Sequence, residues 1–326
     1  MTGKTANKCR IAVVQQPPVF LNLDASVERA CGYIHDTVQN GADVVVFPET
    51  WLPGYPIWLD AAPGAGLWDH PPAKSLFRLM HENCPTVDDA AIVALRSATV
   101  EAGVYVVMGM QERDGGTLYN SILYIDPEKG EFSVHRKLMP TYTERLVWGR
   151  GDGSTLEVLE TPFGNLGGLI CWEHWMPLAR AAMHARGETM HVAQWPWVKD
   201  MHQVACRHYA FEGTCFVVAA GGILSRAEML EGIDSAGAGT EARSLLEEIP
   251  GADANLLLQG GSAVIGPDGQ YVIKPVYGDR TTVFADIDPG AVAEARLTLD
   301  TDGHYSRPDV FELSVDTRPR RNVDFT

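Results

Sequence analysis

The chain has 326 residues, with 42 acidic against 26 basic side chains and a formal net charge of −16. An apolar fraction of 45% is that of a globular protein rather than a disordered one, and so acidic a balance argues against nucleic acid or an anionic membrane surface as main partner. No apolar run approaches the roughly 18 residues of a membrane span, the opening MTGKTANKCRIAVVQQ lacks a secretory apolar stretch, and the six cysteines form no CxxC pair, so free thiols in a reducing cytoplasm are the expectation.

In chain order, Ile11–Val14 reads as a short buried strand. Asn22 or Asp24 can cap a helix carrying Val27, Ala30, Cys31, Ile34 and Val38 on one face, with Gly41 as its stop. Val44–Phe47 returns to strand, and residues 86–102 read as a second helix with Ala91, Ala94, Leu95 and Ala98 on one stripe. Tyr105–Met108, Leu118–Ile125, Glu131–His135 and Leu166–Ile170 are strands. Pro177 opens a helix that stops at Gly187. His191–Gln194 is a strand, and Asp200 is expected to cap a helix running to Gly213. Phe216–Ala220, Ser262–Ile265, Tyr271–Ile273 and Thr282–Ala285 complete the strands, with a hairpin at Pro267-Asp268-Gly269. Residues 225–258 read as an excursion with one short helix.

Strands mixed with helices imply an α/β fold in which helices cover mixed sheets. No linker, low-complexity tract or repeat interrupts the chain, so residues 1–326 are expected to form one domain.

Three polar residues follow predicted strands: Glu49 after VVVFP, Lys137 after His135, and Cys171 after NLGGLI. Strand ends open onto loops, where sites are commonly built. Together they make an acyl-transfer set: a thiolate nucleophile, a carboxylate to take its proton and an ammonium to stabilise developing charge. Each alone is weak evidence, since an isolated Cys is usually an inert small hydrophobe and a Glu or Lys is usually a solvated charge.

Their surroundings are specific. FPETWLPGYP around Glu49, HRKLMPTYTERLVWGRGDG around Lys137 and GGLICWEHWMPLAR around Cys171 resemble, in order, the three catalytic blocks of the nitrilase family. DGHYSRPDV at residues 302–310 resembles a further block of true nitrilases. The resemblance implies the four-layer αββα sandwich of that superfamily, with Glu49, Lys137 and Cys171 as catalytic triad. Glu144 matches the second glutamate that positions Lys137 and substrate. It also implies a homodimer, built in some members into larger spirals; the short tail after the last block speaks against long filaments.

The chemistry can be argued from the residues. Cys171 attacks a nitrile carbon, giving a thioimidate once nitrogen is protonated. Lys137 and the backbone N–H of Trp172 stabilise charge on that nitrogen. Water activated by Glu49 expels ammonia, and a second water releases the carboxylic acid. No redox step occurs, so no organic cofactor is expected, and Lys137 fills the Lewis-acid role, so no metal is expected either. Tyr55, Trp58 and Trp195 are candidates, with Trp172, for an apolar substrate pocket. Glu49 must alternate between base and acid, which burial favours and Lys137 opposes.

WLPGYPIW resembles the corresponding stretch of nitrilases acting on organic nitriles, and that resemblance implies aliphatic or aryl-aliphatic substrates. The alternatives are an amidase or carbamoylase of the same superfamily, a cyanide-specific hydrolase, and a non-catalytic binding member. A Cys171–His174 dyad is the rival mechanism; His174 is expected to make a structural hydrogen bond instead. GRGDGS lacks the GxGxxG pattern, and His202 and His208 do not share a helix face as a metal pair would.

Overall fold

The alternating apolar runs sort onto two faces. Ile11 and Val13, Val44 and Val46, Tyr105 and Val107 point to one side, while Ala12 and Val14, Val45 and Phe47, Val106 and Met108 point to the other. Both sides are buried, which is why these strands read as continuous apolar runs rather than as alternating ones. The computed structural model describes residues 8–320 and 323.

In chain order the elements are β1 (Cys9–Gln15), α1 (Leu23–Gln39), β2 (Val44–Val46), α2 (Trp58–Ala61), α3 (Pro71–Glu82), α4 (Ala90–Ala102), β3 (Tyr105–Asp114), β4 (Thr117–Ile125) and β5 (Phe132–Arg136). They continue with β6 (Leu159–Thr161), β7 (Gly164–Ile170), α5 (Pro177–Ala185), β8 (Met190–Trp195), α6 (Asp200–Gly213), β9 (Phe216–Gly221) and β10 (Ile223–Ser225). The last are α7 (Arg226–Ser235), α8 (Thr240–Glu247), β11 (Leu256–Ile265), β12 (Tyr271–Tyr277), β13 (Thr281–Ile287) and α9 (Gly290–Ala295).

The first sheet has the order β13-β1-β2-β3-β4-β5, parallel at β1-β2-β3 and antiparallel elsewhere. The second runs β10-β11-β9-β8-β7-β6, with β12 also paired to β11, and is parallel at β9-β8-β7. Their facing sides share one core, in which Ile122 and Tyr124 meet Leu166, Val192 and Val218. Helices α1 and α4 cover the first sheet through Val27, Ala30, Ile34, Ile92 and Leu95. Helices α5 and α6 cover the second through Ala182, Met183, Cys206 and Tyr209. The result is the expected αββα sandwich.

Local signals decide the helix ends. Asn22, not Asp24, caps α1, accepting from the Ala25 N–H at 3.1 Å. Asp89 caps α4, so that helix starts at Ala90 rather than at residue 86. Asp200 is the first residue of α6 and not its cap; Lys199 holds the cap position.

The excursion at 225–258 holds two helices, not one. Ser225 and Glu228 form a reciprocal capping box that starts α7, and Gly239 precedes α8. Leu245 and Leu246 of α8 then pack with Leu76, Leu79 and Met80 of α3, a helix the periodicity did not single out, and Met229 and Ile233 of α7 belong to the same buried cluster. Residues 302–310 form turns and exposed coil that contribute nothing to the pocket around Cys171.

Candidate active site

Three strand ends converge. Glu49 lies just beyond β2, Lys137 follows β5 directly, and Cys171 follows β7. The Glu49 segment crosses very close to β3: a Cβ at Gly109 would sit 2.0 Å from the Pro48 carbonyl oxygen, so only glycine permits that approach. Cys171 opens a 3₁₀ turn with φ of +52°, a left-handed conformation that costs a non-glycine residue about 1–3 kcal/mol. The strain turns the thiol out of the sheet and into the cavity, at the start of a tight turn.

Lys137 sits between two carboxylates, all three buried. Its Nζ donates to Glu144 Oε2 at 2.7 Å and to Glu49 Oε1 at 3.1 Å. Asn120 Nδ2 donates to the same Glu49 oxygen at 2.7 Å. Tyr55 OH donates to Glu144 Oε1 at 3.1 Å, and the Thr141 N–H donates to Oε2 at 2.6 Å. One carboxylate oxygen from each glutamate and the Cys171 sulfur lie within 4.8 Å of one another. Such a trio can hold a metal ion, but the Lys137 ammonium, bonded to both carboxylates, already occupies the cationic position.

Glu173 ties two of these segments together. Its carboxylate accepts from the Leu138 N–H at 2.8 Å, beside Lys137, and from the Ile170 N–H at 2.6 Å, beside Cys171. His135 Nε2 lies 3.1 Å from Oε2. Burial pushes the Glu173 carboxyl up, but His135 and the two N–H groups outweigh it and leave it below the ordinary range.

Burial dominates the titration of the other groups. It pushes Glu49 up to about 7, with Glu144 adding to the rise while Lys137 and Asn120 oppose it. It also raises the Cys171 thiol well above its ordinary value, helped by Glu49 and opposed by Lys137 and the Trp172 N–H. Lys137 is pulled down by burial but held up more strongly by Cys171, Glu49 and Glu144. The resting site is therefore a neutral thiol beside an ionisable carboxylate, and a proton leaves sulfur only as charge moves elsewhere.

A cavity of about 330 Å³ reaches Cys171. Tyr55, Ile57, Tyr142, Trp172, Trp197 and Leu258 supply apolar wall, and Asp60, Thr143, Lys199 and His202 supply polar groups. Of the four residues expected in the pocket, Tyr55 and Trp172 line it. Trp58 is buried and lines a neighbouring cleft with Leu67, Trp68 and Phe77 that does not include Cys171. Trp195 is fully buried, stacked between His174 and His202 at ring separations of 5.1 and 4.0 Å. Neither lines the cavity, because β-strand alternation and helix packing turn both rings inward.

His174 does not face the sulfur of Cys171. Its Nδ1 donates to the Cys171 carbonyl at 2.7 Å, and its Nε2 lies 2.9 Å from His191 Nε2. Both ring nitrogens are engaged away from the thiol, which removes the basis for a Cys–His dyad. Asn120 escaped the sequence reading. Its signal was an amide within the buried run TLYNSILYI.

A thiol on a strained turn beside a buried carboxylate and ammonium, carried by a four-layer sandwich, is the geometry of a cysteine-dependent hydrolase. The chain belongs to the carbon-nitrogen hydrolase family, whose model matches residues 10–297. It is 38% identical to an aliphatic nitrilase of Sinorhizobium fredii, over 97% of this chain and 98% of that one. It is 36% identical to nitrilase 1 of Arabidopsis thaliana, over 97% and 89%. Among solved structures it resembles Nit3 of Saccharomyces cerevisiae, a member of the nitrilase superfamily, with a TM-score of 0.68 and 16% identity over 94% of this chain and 99% of that one.

Proposed function

We propose that this chain is a nitrilase that converts organic nitriles, aliphatic or aryl-aliphatic, to carboxylic acid and ammonia. The observation that carries the reading is the Glu49–Lys137–Glu144 cluster packed against the Cys171 thiol. The full-length similarity to enzymes named as nitrilases supports it.

In this reading the Cys171 proton passes to Glu49 as sulfur bonds to the nitrile carbon. The C≡N bond becomes C=N, and Glu49 returns the proton to nitrogen, giving a thioimidate. A first water adds to that carbon as Glu49 takes one of its protons and hands it to nitrogen, giving a tetrahedral amine. The hydroxyl proton then passes through Glu49 to nitrogen as the C–N bond breaks and the C=O bond forms, so nitrogen leaves as ammonia. The remaining thioester is cleaved by a second water, with sulfur regaining a proton. Lys137 and the Trp172 N–H stabilise negative charge on nitrogen, then on oxygen. The sum is one nitrile and two waters to one acid and one ammonia.

The enzyme works as a homodimer in a reducing cytoplasm, where Cys171 stays a free thiol. Support for the dimer is the outer face of α5 and α6, where Leu178, Met201, Val204 and Phe211 are exposed. Light scattering that found only monomer at working concentration would remove this part.

The test is an ammonia-release panel of aliphatic nitriles, arylacetonitriles, benzonitriles, cyanide and the matching amides. Nitrile turnover above amide turnover is expected. Faster release from amides would overturn the reading in favour of an amidase, and release from cyanide alone would overturn it in favour of a cyanide hydrolase.

A further inference from the structure

Behind the nucleophile lies a buried polar chain that the steps above do not use. The Cys171 carbonyl accepts from His174 Nδ1 at 2.7 Å. His174 Nε2 meets His191 Nε2 at 2.9 Å, and His191 Nδ1 meets Glu188 Oε2 at 2.8 Å. Tyr209 OH donates to the other Glu188 oxygen. All five residues are buried. Space for the carboxylate is made by Gly167, where a Cβ would lie 2.3 Å from Glu188 Oε2.

Donor counting assigns the protons. A carbonyl only accepts, so His174 Nδ1 carries its proton. Burial, then His191, hold His174 below its ordinary value, so its Nε2 is bare and accepts from His191. Burial pushes Glu188 up, but His191 and His184 overcome it and leave it ionised, down at about 2. A carboxylate also only accepts, so His191 Nδ1 is a donor as well. His191 is therefore an imidazolium, paired with Glu188, and its charge is passed through His174 to one peptide oxygen.

The other side of that peptide is the Trp172 N–H, within hydrogen-bond reach of the Cys171 sulfur. Drawing electron density toward a peptide oxygen strengthens its N–H as a donor, since hydrogen bonds in series polarise one another. We propose that His174, His191 and Glu188 are positioning residues that hold the strained Cys171 turn and polarise the Cys171–Trp172 peptide, so that the Trp172 N–H stabilises charge developing on the substrate. The nature of that substrate rests on the nitrilase reading. The chain itself is a property of the resting enzyme.

The experiment compares wild type, His174→Phe and His174→Asn. Phe keeps a ring stacked on Trp195 and edge-on to Tyr209 but cannot donate. Asn restores an N–H near the position of Nδ1. Removing an entire transition-state donor costs roughly 10²–10³ in kcat, and weakening one costs less. His174→Phe should therefore lower kcat for a nitrile by roughly ten- to fifty-fold with KM little changed, and His174→Asn should recover most of it. Alkylation of Cys171 by iodoacetamide develops no charge on a substrate nitrogen or oxygen and needs only the thiolate, which Lys137 also favours, so its rate should fall far less than turnover in His174→Phe. In ¹⁵N-histidine spectra of the wild-type enzyme, His191 should carry protons on both ring nitrogens and His174 on Nδ1 alone.

Unchanged kcat in His174→Phe overturns the proposal. So does alkylation that falls in step with turnover, which marks a collapsed turn and nothing more, and so does a His191 with one bare nitrogen. If no nitrile is turned over by the wild type, the nitrilase reading fails, and the ring-proton count still decides the chain.

Discussion

Asn120 Nδ2 donates to Glu49 Oε1 at 2.7 Å, the same oxygen that receives Lys137, while Glu49 Oε2 is buried and has no hydrogen-bond partner among the described residues. One oxygen is thus held and the other is left bare to take a proton. Asn120 favours the ionised carboxylate, so its removal must raise a pKa that already stands at about 7. Asn120→Leu is expected to move the rising limb of the kcat/KM–pH profile to higher pH, because less Glu49 is ionised at any given pH. An unshifted limb in that variant would mean that Glu49 is not the titrating base.

Cys171→Ala should reduce ammonia release to background while the protein stays folded. The thiol is neutral at rest and makes no ion pair whose loss would leave a buried charge unpaired. Circular dichroism and thermal melting close to wild type, together with zero turnover, are the expected pair of results. Residual turnover above background would sink the covalent mechanism.

Lys137→Met should behave oppositely, harming stability as well as activity. Two buried carboxylates, Glu49 and Glu144, would lose their shared cation, and breaking a buried pair costs about 3–5 kcal/mol. The sign with pH follows from Glu49. Its folded pKa of about 7 lies above the ordinary 4.5, so the folded state binds the extra proton and stability falls as pH rises through that window. Without Lys137 the folded value climbs further and the fall is steeper. Urea melts at pH 5 and pH 8 measure it, and equal losses at both pH values would contradict this electrostatic account.

The strands and the reacting residues were legible for one reason: each demands a particular side chain at a particular place. A run such as VVVF must be buried on both faces, and the three family blocks sit at strand ends where β2, β5 and β7 open. Residues whose role depends on packing were not legible. Trp58 follows the Glu49 block and Trp195 ends β8, the strand beside β7 and Cys171, yet their rings turn away from the cavity. Asn120 belongs to a strand whose pairing with β3 and β5 brings it under Glu49, which no local pattern announces. Helices α3, α7 and α8 stabilise one another through Leu76, Met80, Met229, Leu245 and Leu246. That cooperation across distant segments leaves only a weak trace in each.

Trp197 gives the last prediction, because it lines the cavity and its ring carries the Lys199 ammonium 5.0 Å above it. A small aliphatic nitrile bound at Cys171 does not need an aromatic wall, whereas an arylacetonitrile gains a ring–ring contact of about 0.5–1.5 kcal/mol beyond simple burial. Trp197→Ala should therefore raise KM for arylacetonitriles by up to about tenfold, the factor that 1.4 kcal/mol represents. It should leave acetonitrile or propionitrile within about twofold, with kcat little changed in either case, since binding that is equal in ground and transition states moves KM alone. Steady-state kinetics on the two substrate classes make the comparison. Equal losses for both would place Trp197 outside substrate contact and assign the aryl preference to another wall, with Tyr55, Trp172 and Leu258 the next residues to replace.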